Sequence, residues 1–211
     1  MRASSRCSST RSRPIGYPYF RLAAYTGARR GELLFLRWSS VVLDGDGPHI
    51  WIRGSTGIVR GRRVEGATKT GRVRRVSLDA GTAQVLRDHA ERQAKERELV
   101  GGSWPGGDWV FRMEMGTPLR IDLPGELMRG TFVRLNGVRR VLPPIRFHDL
   151  RHVHATLLLQ DGEPVHVVAE RLGHADPSMT LRVYAHVLKS QRASSATRFA
   201  RIMGEVESPE E

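Results

Sequence analysis

His148-Asp149-Leu150-Arg151 sets an imidazole and a guanidinium three residues apart. On a helix that spacing brings both onto one face, where they can converge on a single anion. Two other readings of the same residues exist. A surface histidine beside a surface arginine is common, and His148, His152 and His154 invite a metal site. The metal reading is weak, because positions 152 and 154 point to different helix faces and no carboxylate falls at a ligand spacing. No metal is therefore expected, and the pair by itself does not choose between an anion site and an ordinary surface.

The other polar motifs of the chain change that weighting. Thr26-Gly27-Ala28-Arg29-Arg30-Gly31-Glu32-Leu33 lies upstream, and Thr68-Lys69-Thr70-Gly71 lies in a basic stretch. Downstream, Leu172-Gly173-His174 is followed by Tyr184 within Met179-Thr180-Leu181-Arg182-Val183-Tyr184-Ala185-His186. In this order, over about residues 20 to 200, these motifs resemble the catalytic domain of the tyrosine recombinases, the phage-integrase family.

The resemblance implies a specific chemistry. Breaking a phosphodiester without metal needs a nucleophile, cations on the non-bridging oxygens and a proton for the departing 5′-oxygen. Tyr184 matches the nucleophile, which forms a 3′-phosphotyrosyl link and conserves the bond energy, so neither ATP nor any cofactor is expected. Arg29 and Arg151 match the two arginines that clamp the scissile phosphate, a task suited to a planar, permanently charged fork. His148 matches the acid/base histidine, Lys69 the general acid on a β-hairpin, and His174 a hydrogen-bond donor to the phosphate. Glu32, three residues after Arg29, can orient that guanidinium by a charge-assisted bond. Alternatives stay open: Tyr184 could be a core tyrosine, and Arg62, Arg63, Arg72, Arg74 and Arg75 offer other cations near Lys69. The implied activity is site-specific DNA recombination. A non-enzymatic DNA-binding remnant and a relaxing activity like that of type IB topoisomerases are the competing functions.

The elements that must position these groups follow from patterning. Phe20, Leu22, Ala23 and Ala24 make a short helix that stops at Gly27, and a second helix capped by Thr26 buries Leu33, Leu34, Leu36 and Trp38. Residues 49 to 78 read as β, with strands at Ile50 to Ile52, Val64 to Thr68 and Val73 to Leu78, and Lys69 at the tip of the last hairpin. Asp79 to Val100 is a helix with Val85, Leu86 and Leu99 on its apolar positions, and Trp109-Val110-Phe111 a short buried segment. Pro143 and Pro144 block helix before Phe147, after which residues 148 to 160, 164 to 173, 178 to 188 and 190 to 206 read as helices. The expected fold is thus α+β and mainly helical, with a small three-stranded antiparallel sheet packed at one edge.

Composition fits this. With 34 Lys and Arg against 22 Asp and Glu in 211 residues, the net charge is +12, which points to a polyanionic partner, nucleic acid before membrane; the resemblance implies double-stranded DNA. From Arg53 to Arg75 there are eight basic residues and one acid, Glu65, a density suited to a duplex backbone. A lone cysteine, Cys7, cannot form an internal disulfide, and no apolar run is long enough for a membrane span, so a cytoplasmic, nucleoid-associated protein is expected. Residues 1 to 16, rich in Ser and Arg, are expected to be disordered, 17 to 206 to form the catalytic domain, and 207 to 211 an acidic tail. Family members usually carry a helical core-binding domain ahead of this one. No such pattern precedes Tyr17, so the expectation is a truncated chain or a misassigned start. Phe199, Ile202, Met203 and Val206 form an apolar stripe on the last helix, either docked at home or passed to a neighbour in a DNA-dependent homo-oligomer, by resemblance a tetrameric synapse.

Overall fold

A computed structural model describes residues 16–45, 47–104, 106–113, 115–129, 132–135, 138–141, 145–176, 178, 180–181, 199–200 and 203. The chain divides into two compact units after His154, a point inside one helix. Mixed helix and small antiparallel sheets match the expected α+β class.

In the first unit, α1 (Gly16–Thr26) ends as patterning predicts, with Gly27 in the left-handed region at φ 64°. Thr26 does not cap the next helix. Its hydroxyl donates back to the Leu22 carbonyl and accepts from the Ala28 amide, closing the turn between the helices. Arg29 is the N-cap of α2 (Arg30–Phe35), and Glu32 closes the turn by accepting from the Arg29 amide at 2.8 Å. This helix is shorter than the apolar spacing suggested, because Leu36 turns extended and Trp38 falls in a 3₁₀ turn.

The β region departs more from expectation. β1 (Val41–Val42), β2 (His49–Ile52) and β5 (Arg74–Ser77) form the three-stranded antiparallel sheet, whereas β3 (Ser55–Val59) and β4 (Arg62–Gly66) form a separate hairpin between β2 and β5 in sequence. The expected pairing of 64–68 with 73–78 therefore does not form. The reason is local: Val59 pairs with Arg62 across a two-residue turn in which Arg60 (φ 48°) and Gly61 (φ 75°) both take positive φ, the tightest connection that suits strand twist. Glycines at 54 and 57 hid β3 from the pattern. Lys69 still occupies a turn, Thr68 to Gly71, closed by a 2.8 Å bond from the Gly71 amide to the Thr68 carbonyl, but it joins two sheets and is not the tip of one hairpin.

The base of the β3–β4 hairpin is fixed. Arg63 donates to the carbonyls of Leu119 (2.8 Å) and Leu34 (3.1 Å), and Glu65 pairs with both Arg37 and Arg63. Gly31 lets α2 lie directly on β3: a Cβ there would stand 2.4 Å from the Thr56 carbonyl oxygen.

α3 (Ala80–Val100) starts where the sequence places it, with Asp79 accepting from the Thr82 amide. Its buried face is Thr82, Ala83, Leu86 and His89, while Leu99, expected among the apolar contacts, is exposed. Tyr19, Leu22, Leu33, Leu34, Ile50, Ile52, Leu86, Val110 and Phe111 build the core, which confirms the short buried segment around Val110. Two elements had no signal in the reading: α4 (Leu123–Met128), started by Pro124, and the hairpin of β6 (Phe132–Leu135) and β7 (Val138–Val141). The first strand of the sheet also lies before residue 49, the expected limit.

His89 gives this core a pH dependence. Its Nε2 lies 2.8 Å from the Val110 carbonyl, its ring stacks on Phe111, and burial pushes its pKa down to about 4. Since the folded pKa lies below the ordinary 6.5, the unfolded chain binds the extra proton first. Stability is complete above about pH 6.5 and falls by up to about 3 kcal/mol as the pH drops towards 4. Urea denaturation from pH 8 to 5 should show this slope, and His89→Gln should flatten it.

The division falls within α5 (Phe147–Gln160), which is followed by Gly162 at positive φ; in the second unit α6 (Val165–Leu172) follows Pro164. Ala155, Leu159, Val168 and Leu172 form its small core. The helical spans expected at 148–160 and 164–173 are both present. Of the last two expected helices, residues 178, 180–181 and 199–200 are helical, and the rest lies outside the described residues, as do residues 1–15, Pro143, Pro144 and the acidic tail.

Candidate active site

The first arginine is built by α2. Its backbone amide and its Nη1 both bond to Glu32, at 2.8 and 2.9 Å, while about a quarter of its side chain stays open to solvent. Glu32 is 1% exposed. Burial alone would raise its pKa, yet the hydrogen bonds and charges of Arg74 and Arg29 outweigh burial and hold the carboxyl below its ordinary range. Arg74 supplies the larger share, with Nη1 and Nη2 reaching Oε1 at 3.0 Å and Oε2 at 2.7 Å in a two-pronged clamp. The reading of the sequence foresaw Glu32 holding Arg29 and counted Arg74 only as a spare cation. The signal was in β5, where Arg74 and Val76 alternate inward while Arg75 and Ser77 face out.

The second arginine and the histidine are built by α5. Asp149 accepts from the Arg146 amide at 2.7 Å, which anchors the first turn as Glu32 does in α2. Arg151, one turn further and 4% exposed, donates from Nη1 to the Gly27 carbonyl at 2.8 Å. Arg151 is thereby held at the turn that presents Arg29, two residues on. His148 lies on the same α5 face. Partial burial first, then the His152 ring 4.8 Å away and the charges of Arg151 and Arg29, lower its pKa, with Asp149 opposing. The shift favours the neutral imidazole, whose ring nitrogen is able to take a proton. His154 faces elsewhere, its Nδ1 being 2.9 Å from the Ala24 carbonyl. Among the described residues no three His, Cys, Asp or Glu side chains gather as metal ligands.

Arg29, His148 and Arg151 thus meet in the first unit. Lys69 is exposed on its turn, whose foot is the buried Thr68, bonded through its hydroxyl to the Arg72 carbonyl at 2.9 Å. His174 belongs to the second unit. The α6 terminus sets it: Gly173 is left-handed (φ 69°, ψ 44°), its amide bonds to Glu170, and the His174 amide bonds to Ala169. The ring Nδ1 lies 2.7 Å from the Thr180 hydroxyl. Tyr184 lies outside the described residues.

Comparison with known proteins is decisive for the family. The profile of the phage integrase family matches residues 1–191. The chain belongs to the phage integrase family. Among curated relatives, a "Tyrosine recombinase XerC-like" protein of Caldanaerobacter subterraneus subsp. tengcongensis is 31% identical over 83% of this chain and 46% of its own length. An "Integrase" of Streptomyces ambofaciens is 32% identical over 80% of this chain and 43% of its own. The chain spans less than half the length of these relatives. A solved Tn1549 transposon integrase in complex with circular intermediate DNA shares the fold, with a TM-score of 0.71 and 19% identity over 93% of this chain and 62% of that one. This integrase-family fold accounts for the site's construction: two helix starts, each tied by an acid three residues in, deliver the two arginines.

Proposed function

We propose that residues 17–206 form the catalytic domain of a site-specific DNA recombinase. The observation that carries this is the shared turn: Arg151 bonded to the Gly27 carbonyl, Arg29 two residues on, and His148 three residues before Arg151 on the same helix. Two fixed guanidiniums, that of Arg29 about a quarter open to solvent, suit the two non-bridging oxygens of a phosphodiester. In this reading the Tyr184 hydroxyl attacks phosphorus and gives its proton to His148. A phosphorus–phenolate oxygen bond forms, the bond to the 5′-oxygen breaks, and Lys69 protonates the leaving oxygen. His174 donates to the phosphate. The step conserves a phosphodiester, so it needs neither ATP nor metal, and its reversal on a second 5′-hydroxyl rejoins the strand. The names of the relatives, and the net charge of +12, support duplex DNA as the partner and the nucleoid as the place of action. Among the described residues no helix is long and apolar enough to cross a membrane.

The test is trapping on a suicide duplex nicked near the crossover point, so that the short cleaved fragment diffuses away. A covalent protein–DNA band that resists denaturant and yields to protease is expected. Duplex binding without any adduct would instead assign the non-enzymatic reading, and supercoil relaxation by isolated monomers the topoisomerase-like one.

Assembly on DNA is the further part of the proposal. Phe199 and Met203 of the C-terminal stripe are 63% and 60% exposed, while Ile202 and Val206 lie outside the described residues. Two large apolar side chains one turn apart in the open suit a neighbouring protomer. Deleting residues 197–211 should leave the duplex affinity of the monomer within about twofold, since it removes two basic and four acidic residues and leaves the basic stretch of residues 53–75 whole, and should abolish DNA-dependent multimers seen by native gel or light scattering. Persistent multimers would reject this role for the stripe.

A further inference from the structure

We propose that Arg74 is a positioning residue of the reaction: through Glu32 it fixes the direction of the Arg29 guanidinium. The inference rests on the recombinase reading above and goes beyond the six side chains assigned there. Each Glu32 oxygen is shared. Oε1 receives Arg74 Nη1 (3.0 Å) and Arg29 Nη1 (2.9 Å), and Oε2 receives Arg74 Nη2 (2.7 Å) and the Arg29 amide (2.8 Å). A carboxylate gripped on one side by a planar fork cannot rotate, so it presents its remaining lone pairs in one direction only. Those lone pairs set the Arg29 fork.

The energetics of burial point the same way. Glu32 is 1% exposed and both terminal nitrogens of Arg74, itself 8% exposed, are turned onto it, whereas Arg29 keeps about a quarter of its side chain open. One carboxylate between two guanidiniums leaves a net positive charge, and its open face is at Arg29. Arg74 also brings the strand from the Lys69 turn to the Arg29 helix. It begins β5, two residues after Arg72, whose carbonyl is held by the Thr68 hydroxyl next to Lys69. The turn and the helix are thus joined by one ion pair across 42 positions of sequence.

Arg74→Lys tests this, because it keeps the charge and loses the fork. In the full chain on the suicide duplex, the rate of adduct formation should fall about 10- to 100-fold while duplex affinity stays within about twofold. A purely structural defect would slow every substrate alike. A misdirected Arg29 would not: replacing one non-bridging oxygen of the scissile phosphate by methyl removes the charge that Arg29 neutralises, so the deficit of the variant should shrink at least fivefold on that methylphosphonate duplex. Equal deficits on both duplexes overturn the proposal. If the wild-type chain itself makes no adduct, the recombinase reading fails first, and the placement of Arg29 is read directly by guanidinium nitrogen NMR. The Arg29 Nε–H signal should shift and broaden in Arg74→Lys, and an unchanged signal overturns the proposal. Arg74→Gln, which can still bond one oxygen, serves as second variant; unfolding of both assigns Arg74 to the core and rejects a positioning role.

Discussion

Tyr184→Phe is expected to abolish the covalent adduct completely while leaving salt-sensitive duplex binding within about twofold. The substitution removes one hydroxyl and no positive charge, and affinity for a duplex is dominated by cations that displace counterions from phosphates. In the proposed reaction the nucleophile, by contrast, cannot be replaced by a neighbour, because the energy of the broken phosphodiester is kept only in the phosphotyrosyl bond to the enzyme, while the strand with the 5′-hydroxyl leaves. Measured on the suicide duplex, the variant should show no protease-sensitive shifted band even after hours, and its binding isotherm at several salt concentrations should superimpose on that of the wild type. Equal loss of binding and cleavage would make Tyr184 a structural residue, and a surviving adduct would move the nucleophile elsewhere.

Glu32→Gln should destabilise the first unit by about 3–5 kcal/mol, the usual cost of leaving one partner of a buried ion pair behind. Arg74 is 8% exposed and would face Arg29 with no carboxylate between them. The pH dependence carries the sign of a depressed acid. The folded pKa of Glu32 lies below its ordinary 4.5, so its contribution is complete above about pH 4.5 and is lost as the pH falls through the folded value. The gap between wild type and variant in urea midpoints should accordingly be wide at pH 7 and narrow in acid, the wild type losing stability below pH 4.5 while the variant does not lose this increment. A gap that is small at pH 7, or independent of pH, would show that the carboxylate is not what holds the two arginines.

Legibility in the sequence followed the range of the interactions. Elements set by neighbours in the chain were readable: Asp79 starts α3, Gly27 and Gly173 end α1 and α6, Arg29 falls at the start of α2, and His148 and Arg151 share the first two turns of α5. Where two local patterns competed, the reading chose wrongly, as with Thr26, whose hydroxyl closes α1, and with the partner of β4, where the Arg60-Gly61 turn outdid the longer connection through Lys69. Long-range pairings left almost no trace. Arg74 reaches Glu32 across 42 residues and Arg63 reaches Leu119 across 56; the alternation of β5 turns Arg74 inward, but nothing in composition or period names a buried acid so far away as its partner. The buried His89 was missed for the same reason, since its partner Val110 lies 21 residues on.

The contact at Gly31 has a bearing on motion. With the Thr56 carbonyl oxygen only 2.4 Å and the Ser55 hydroxyl 2.5 Å from where a Cβ would stand, α2 packs its backbone closely on β3 at Gly31, and Arg63 fastens the same hairpin to the end of that helix. Exchange of their amide hydrogens with deuterium should therefore report a single cooperative unit, in which fluctuations of the basic hairpin and of the helix that presents Arg29 rise and fall together.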